Sequence, residues 1–261
     1  MTAARTLYLG FDVGTQSTKA LLLDAERGEV VARAQRGYDL ISGLPPGHAE
    51  QDPATWIAAV EETAAEVLRD VAVERVGGVG VSGQQHGCVV LDDADEVIRP
   101  AKLWCDTSTT KQARELSDQL GRPVPVGFTA SKLVWLRECE PDNWSRVHSV
   151  LLPHDYINFR LTGAKTMECG DASGTGWFDA TRRTFDADAV AAIDPRLSGM
   201  LPPLLQAGQP AGHLSAAGAA LLGLPVGLPV AAGGGDNMMA AIGAGATRSG
   251  VVVMSLGTSG T

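Results

Sequence analysis

The sequence predicts an α/β fold, a sheet that opens as an antiparallel meander and is flanked by helices, and three features carry that expectation. Three β-favouring runs, residues 6–12, 17–24 and 29–36, succeed one another with only short turns between them. Asp52-Pro53 then offers a helix cap followed by proline at the first helical position, with an apolar face behind it. Near the other end, residues 228–232 read as a buried strand that passes through Gly233-Gly234-Gly235 into a helix starting at Asp236.

Taken in order, the first two runs are joined by Val13-Gly14-Thr15-Gln16, and Gly28 turns the chain into the third. On the helix after Asp52, Trp56, Ile57, Val60, Ala64, Val67 and Leu68 share one face, which places that helix on the sheet. Residues 76–82 and 88–91 predict two further strands, separated by Gly83-Gln84-Gln85-His86-Gly87 and followed by an acidic turn at residues 92–95. Helices are predicted at residues 107–120, 131–140 and 155–161, the last preceded by Pro153-His154 and closed by Gly163. Residues 250–255 predict a new strand running into a glycine-rich turn. A strand with nothing after it to pair with is an aggregation hazard, so the chain reads as truncated.

With 261 residues and 44% apolar content the chain can bury one large or two small cores, and it contains no repeat or low-complexity tract. A net charge of −9 without a Lys/Arg cluster argues against broad binding to nucleic acid or an anionic membrane, so an anionic ligand must be held locally. Cys88, Cys105, Cys139 and Cys169 lie far apart with no metal-site spacing, the pattern of reduced thiols in a cytoplasmic protein. The N-terminus lacks a signal-like apolar core. The nearest approach to a membrane span, residues 214–232, is broken by Pro225 and Pro229.

Several motifs carry chemistry, each with a plainer alternative. Residues 12–19 (DVGTQSTK) put a carboxylate at a strand end, then a glycine turn and hydroxyls, which suits a nucleotide phosphate with Mg²⁺; an ordinary hairpin turn would look the same. Residues 255–261 (SLGTSGT) nearly repeat that pattern, and the pair is more specific than either loop alone. Asp236 after three glycines fits a general base for a sugar hydroxyl or, equally, a helix N-cap; the glycines favour close approach of backbone to a ligand. Residues 78–83 match G-x-G-x-x-G formally, but they lie inside a strand with no helix behind them and are set aside. The Gln84-Gln85-His86 loop, Trp104-Cys105-Asp106 and His154-Asp155 are each unremarkable by themselves.

In combination they are specific. The two hydroxyl-rich loops resemble the phosphate-binding hairpins of the actin-like ATPase superfamily. The segments DVGTQSTKALLLD, EQDPATW, SGQQHG, LWCDTST, LLPHDYINFRLTG, GDASGT, AAGGGDN and SLGTSG, in that order from Tyr8 to the C-terminus, closely resemble the amino-terminal half of FGGY-family carbohydrate kinases and, within the family, xylulokinases. The resemblance implies a ribonuclease-H-like, actin-like ATPase domain with a mixed sheet flanked by helices, spanning residues 1–245 as the sugar-binding domain, with residues 246–261 beginning an ATP-binding domain.

It also implies roles. Asp236 would be the catalytic base; Gln85, His86, Trp104, Asp106 and Asn237 would bind the sugar; Asp12 would sit at Mg²⁺; Gly14, Thr15, Gln16, Gly257, Thr258 and Ser259 would lie near the ATP phosphates. The implied reaction is ATP plus D-xylulose giving ADP and D-xylulose 5-phosphate, negligible from half an enzyme alone. Gln85 and Cys105 stand where many bacterial xylulokinases carry Met and Asn, which keeps D-ribulose open as the substrate. A non-catalytic sugar-binding module is the rival from another class, and a homodimer of the full-length protein stays open.

Overall fold

The structure, a computed structural model, describes residues 5–254. Strands β1 (Leu7–Val13), β2 (Ser17–Asp24) and β3 (Glu29–Gly37) form the expected antiparallel meander. Strand alternation puts Leu7, Leu9, Phe11 and Val13 on one face, and the register aligns them with Asp24, Leu22, Ala20 and Thr18 of β2. That face is buried. On the opposite face Tyr8 and Leu21 remain exposed.

After β4 (Glu50–Gln51), helix α1 (Pro53–Val67) lays Trp56, Val60, Ala64 and Val67 on the buried face. Its cap is as the sequence predicts: the Asp52 carboxylate accepts the Ala54 N–H at 2.9 Å, and Pro53 occupies the first turn, where no N–H is needed. Asp52→Ala is therefore expected to cost about 1 kcal/mol of stability, read as a lower urea midpoint at unchanged slope.

Strand β5 (Val76–Gly83) pairs in parallel with β1. Strand β6 (Val89–Leu91) follows, then β7 (Ala101–Lys102), the helices α2 (Thr110–Leu120), α3 (Thr129–Cys139) and α4 (Pro141–Arg146), and β8 (Ser149–Leu151). The β6–β8 ladder is a wall between two cores. Val89, Leu91 and Leu151 face the sheet core, while Val90 and Val150 face a second core with Leu116, Leu133, Trp144 and Trp177.

Helix α5 (Pro153–Thr162) returns to the sheet. It is followed by α6 (Cys169–Ala172), the small hairpin β9 (Phe178–Asp179) and β10 (Thr184–Phe185), α7 (Ala187–Ile193), β11 (Gly212–His213) and α8 (Ala216–Leu222). Strands β12 (Pro229–Val230) and β13 (Gly234–Gly235) then both run in parallel along β5, as two pieces of one interrupted strand, before α9 (Asp236–Gly243). The sheet order is β11-β12-β5-β1-β2-β3, mixed and covered on one face by α1, α5 and α8, which is the ribonuclease-H-like arrangement expected.

Two expectations change. Residues 250–254 form no strand, because a strand exists only through a ladder partner and none of the described residues pairs with them; Ser255 and the residues after it lie outside the described range. Helices α4, α6, α7 and α8 were not predicted, being short, with α8 hidden in the apolar stretch 214–232. Tertiary contact carries α8: Ser215 caps it, and Gly218 packs so closely on α5 that a Cβ there would lie 2.0 Å from the Leu161 carbonyl oxygen. Among the described residues, no helix is long and apolar enough to cross a membrane. None of the residues of α9 is buried, although the helix carries Met238 and Ile242.

Candidate functional site

The three parallel strands end together. Across β1, β5 and β13 the register aligns Asp12, Ser82 and Gly234, then Val13, Gly83 and Gly235. Polar residues at the carboxyl ends of parallel strands project into a shared crevice, the usual place for a ligand in an α/β sheet. Here that crevice is a cavity of about 830 Å³ lined by Asp12, Lys19, Ser82, Asp236 and Asn237 over a floor that includes Leu21. Asp12 accepts from Ser82 Oγ at 3.3 Å and pairs with Lys19 at 3.4 Å. Two carboxylates and a hydroxyl are hard oxygen donors, the set that fits a hydrated Mg²⁺.

The β1–β2 turn is built to offer N–H groups. The carbonyl of Gly14 accepts from the Tyr38 hydroxyl at 2.7 Å, that of Thr15 from Gln51 Nε2 at 2.7 Å, and that of Gln16 from the Tyr38 N–H at 3.0 Å. With its carbonyl edge tied to the domain and the Gly14 N–H donated to the Ser17 carbonyl at 3.0 Å, the turn keeps the N–H groups of Thr15 and Gln16 for an anion. The Thr15 hydroxyl is already engaged: it donates to Gln84 Oε1 at 3.0 Å and accepts the Trp104 indole N–H at 2.9 Å. Its only proton is committed, so any phosphate contact at Thr15 falls to the backbone. Gly257, Thr258 and Ser259 lie outside the described residues.

Asp236 is the first residue of α9, and Gly235 is the N-cap, so the cap reading of this carboxylate does not hold. Oδ1 accepts the N–H of its neighbour Asn237 at 2.7 Å. Burial, the stronger cause, and then the like charges of Asp12 and Asp171 raise its pKa, the direction that makes a carboxylate a better proton acceptor. The three glycines have a reason within the fold itself. A Cβ would lie 2.0 Å from Val81 O at Gly233, 2.9 Å from Met239 Cε at Gly234 and 2.5 Å from Gln85 Cγ at Gly235. Close approach to the protein itself disfavours side chains there, most firmly at Gly233, where the neighbour is backbone.

Gln85 and His86 follow β5. Gln85 Oε1 accepts from Asn237 Nδ2 at 3.2 Å, which joins the two loops across the site. His86 has a left-handed backbone, φ +63°, a strained state for a non-glycine residue. Its ring stacks on Phe128 with centroids 5.0 Å apart and lies against Gly174, where a Cβ would come within 2.0 Å of Cε1. Burial, with the nearby Lys132, lowers its pKa, so the ring is neutral. Its buried Nδ1 has no hydrogen-bond partner among the described residues. Trp104, 49% exposed, stands over the turn through its bond to Thr15.

Asp106 departs from expectation. It is fully buried, and its carboxylate is fully occupied: Oδ2 accepts from the Ala49 N–H at 2.9 Å and Lys102 at 3.0 Å, and Oδ1 from Ser108 N–H and Oγ at 3.0 and 2.6 Å. An acceptor so saturated has nothing left for a sugar hydroxyl. It anchors the loop that carries Trp104. His48, Glu50 and Asp106 converge closely enough to hold a metal ion, but Lys102 Nζ sits among them at 3.2, 3.0 and 3.0 Å, so an ammonium already fills that cation position.

Sequence reasoning assigned no role to His154, Asp171 or Gln51. Gln51 joins Trp56, Gln84 and the β1–β2 turn through a buried amide. His154 and Asp171 lie in the segments LLPHDYINFRLTG and GDASGT, and the available signal was a histidine beside an acid at a helix start.

Comparison with known proteins adds a third line. The profile described as "FGGY family of carbohydrate kinases, N-terminal domain" matches residues 7–243. A xylulose kinase of Streptomyces coelicolor is 44% identical over 98% of this chain and 53% of its own length, and one from Haemophilus influenzae 40% identical over 98% and 55%. Among solved structures, a xyloylose kinase from Brucella ovis superposes with a TM-score of 0.89 at 38% identity, covering 97% of this chain and 54% of that one. The chain thus spans about half the length of the curated relatives it matches.

Proposed function

Because this chain belongs to the FGGY family of carbohydrate kinases, we propose that it is the sugar-binding half of an ATP-dependent ketopentose kinase, most directly one that converts D-xylulose to D-xylulose 5-phosphate. Residues 1–245 form the sugar-binding domain in this reading, and residues 246–261 lead into the ATP-binding half. The observation that carries it is Asp236: a carboxylate at the head of α9 that caps no helix, shares a cavity with Asp12, and has its pKa raised by burial.

In the proposed reaction Asp236 takes the proton of the sugar hydroxyl, the hydroxyl oxygen bonds to the γ-phosphorus of ATP, and the bond from that phosphorus to the β,γ-bridging oxygen breaks, releasing ADP. Transfer of this kind depends on in-line positioning and charge neutralisation more than on covalent help from the protein. Gln85, His86 and Asn237 orient the ketose, and Trp104 offers it an aromatic wall. The N–H groups of Thr15 and Gln16, with Gly14 shaping the turn, hold phosphate oxygens. Asp12 would hold Mg²⁺ through its carboxylate, and the ion, when bound, would neutralise charge on the phosphates. The bare sheet face around Tyr8 and Leu21 and the unburied α9 suit coverage by the half of the relatives' length that this chain does not span.

Titration calorimetry with D-xylulose, D-ribulose and glycerol, followed by a coupled ADP-release assay on the full-length protein, tests the reading. Saturable binding and turnover of D-xylulose in preference to the others is the expected result. Preference for D-ribulose would move the substrate, and turnover of none of the three would overturn the kinase reading for this substrate class.

A further inference from the structure

Beneath the sugar-facing loops lies a chain of buried polar groups that the proposed reaction leaves unused. His154, in the first turn of α5, is fully buried under the point where β5 and the interrupted strand meet. A Cβ on Gly83 would stand 3.0 Å from His154 Cβ, and one on Gly233 would stand 3.6 Å from its Cδ2. His154 therefore lies under both segments, its ring against Gly233 and its Cβ and backbone against Gly83. Its Nδ1 meets Asp171 Oδ2 at 2.8 Å, and Asp171 is itself fully buried. The ring's Nε2 lies 3.1 Å from Asp155 Oδ1 but off the hydrogen-bond direction, an ion-pair contact without a bond.

Asp171 uses its second oxygen toward the site. Oδ1 accepts from Gln85 Nε2 at 3.5 Å, a long contact, and Gln85 in turn accepts from Asn237, whose backbone N–H holds Asp236. The order of these groups has a chemical direction. A carboxylate only accepts, so Asp171 must take the amide nitrogen of Gln85, which leaves the Gln85 carbonyl for the Asn237 side chain. Reversing the amide would set oxygen against oxygen at one end and N–H against N–H at the other. The group that faces Asp171 in this buried place is the His154 imidazole. Burial alone would lower the His154 pKa, but the carboxylates of Asp155 and Asp171, with Glu168 farther off, carry it up to about 9.

We propose that Asp171, braced by His154, is a positioning residue that fixes the orientation of the Gln85 amide and so sets which face of the ketose Gln85 and Asn237 recognise. The proposal rests on the reading of Gln85 and Asn237 as sugar contacts; the contact between Asp171 and Gln85 does not.

The test uses the full-length protein and two readouts. The first is the side-chain amide signal of Gln85 by NMR without sugar, assigned by its loss in Gln85→Ala. Asp171→Asn should shift that signal, and His154→Leu should shift it as well, while His154→Asn, which keeps an N–H where Nδ1 stands, should leave it near its wild-type position. The second is ketose affinity in a double-mutant cycle. Asp171→Asn should weaken binding by up to about tenfold, the loss of one hydrogen bond to a charged group and of the amide orientation it sets. Combined with Gln85→Ala it should add nothing further, because both act through one amide. An unmoved Gln85 signal in Asp171→Asn, or multiplicative losses in the double variant, would overturn the proposal. If Asp171→Asn does not fold, Gln85→Glu probes the same contact from the exposed side: a second carboxylate against Asp171 should weaken sugar binding at neutral pH and recover in mild acid, and a pH-independent loss would count against it. A shifted Gln85 signal in a protein that binds no ketose would sink the substrate reading and leave the positioning role standing.

Discussion

Asp236→Asn in the full-length protein is expected to lower kcat by about 10²- to 10⁴-fold, the range for removing a positioned general base, with sugar affinity little changed. The amide keeps the shape of the carboxylate and can still accept the Asn237 N–H that Oδ1 takes at 2.7 Å, so the head of α9 should hold its geometry. What it cannot do is receive a proton. A sugar hydroxyl is a weak nucleophile, and the step that removes its proton is the one the substitution strikes. The carboxylate's surroundings sharpen the expectation, since burial and the charges of Asp12 and Asp171 raise its pKa toward the range in which it is a more effective base. Steady-state kinetics together with calorimetry separate the outcomes. A large fall in kcat at constant Kd supports the base. Loss of binding with kcat retained would make Asp236 a sugar anchor, and no change in either would remove it from the reaction.

The parts of this fold that were legible in the sequence are those set by local chemistry. The β1–β2–β3 meander follows from alternating apolar runs and glycine turns, and α1 from Asp52-Pro53 and a single apolar face. Asp12 and Asp236, which line one cavity, were legible because each sits near a strand end close to a glycine turn. Long-range packing was not. Asp106 looked like a ligand group until Ala49, 57 residues away, Lys102 and Ser108 were seen to occupy it. The opposite error befell His154 and Asp171: their partnership spans 17 residues, and the link from Asp171 to Gln85 spans 86, distances over which no sequence pattern reports contact. Short helices such as α8 escaped for the same reason, since tertiary contact rather than propensity makes them.

Gly233→Ala carries the largest expected effect on stability, and Gly223→Ala is its control. Both glycines have left-handed backbones, φ +71° and +66°, so alanine at either costs about 1–2 kcal/mol in backbone strain alone. They differ in what the new methyl meets. At Gly223, the C-cap of α8, nothing lies within 4 Å; at Gly233 the Cβ would fall 2.0 Å from the carbonyl oxygen of Val81. Val81 lies inside β5, paired to Phe11 of β1, so that carbonyl has no room to retreat. The interrupted strand must move instead, at a further cost of about 1–3 kcal/mol, typical of forced overpacking. Urea midpoints at constant slope should therefore place Gly233→Ala about 1–3 kcal/mol below Gly223→Ala. Because Gly233 precedes Asp236 by only three residues, the displacement should also reach the proposed base: kcat of the full-length protein should fall in the folded Gly233→Ala variant and hold in Gly223→Ala. Equal stability of the two variants would mean that the strand can leave Val81 without loss, and that the interruption between β12 and β13 does not fix the position of Asp236.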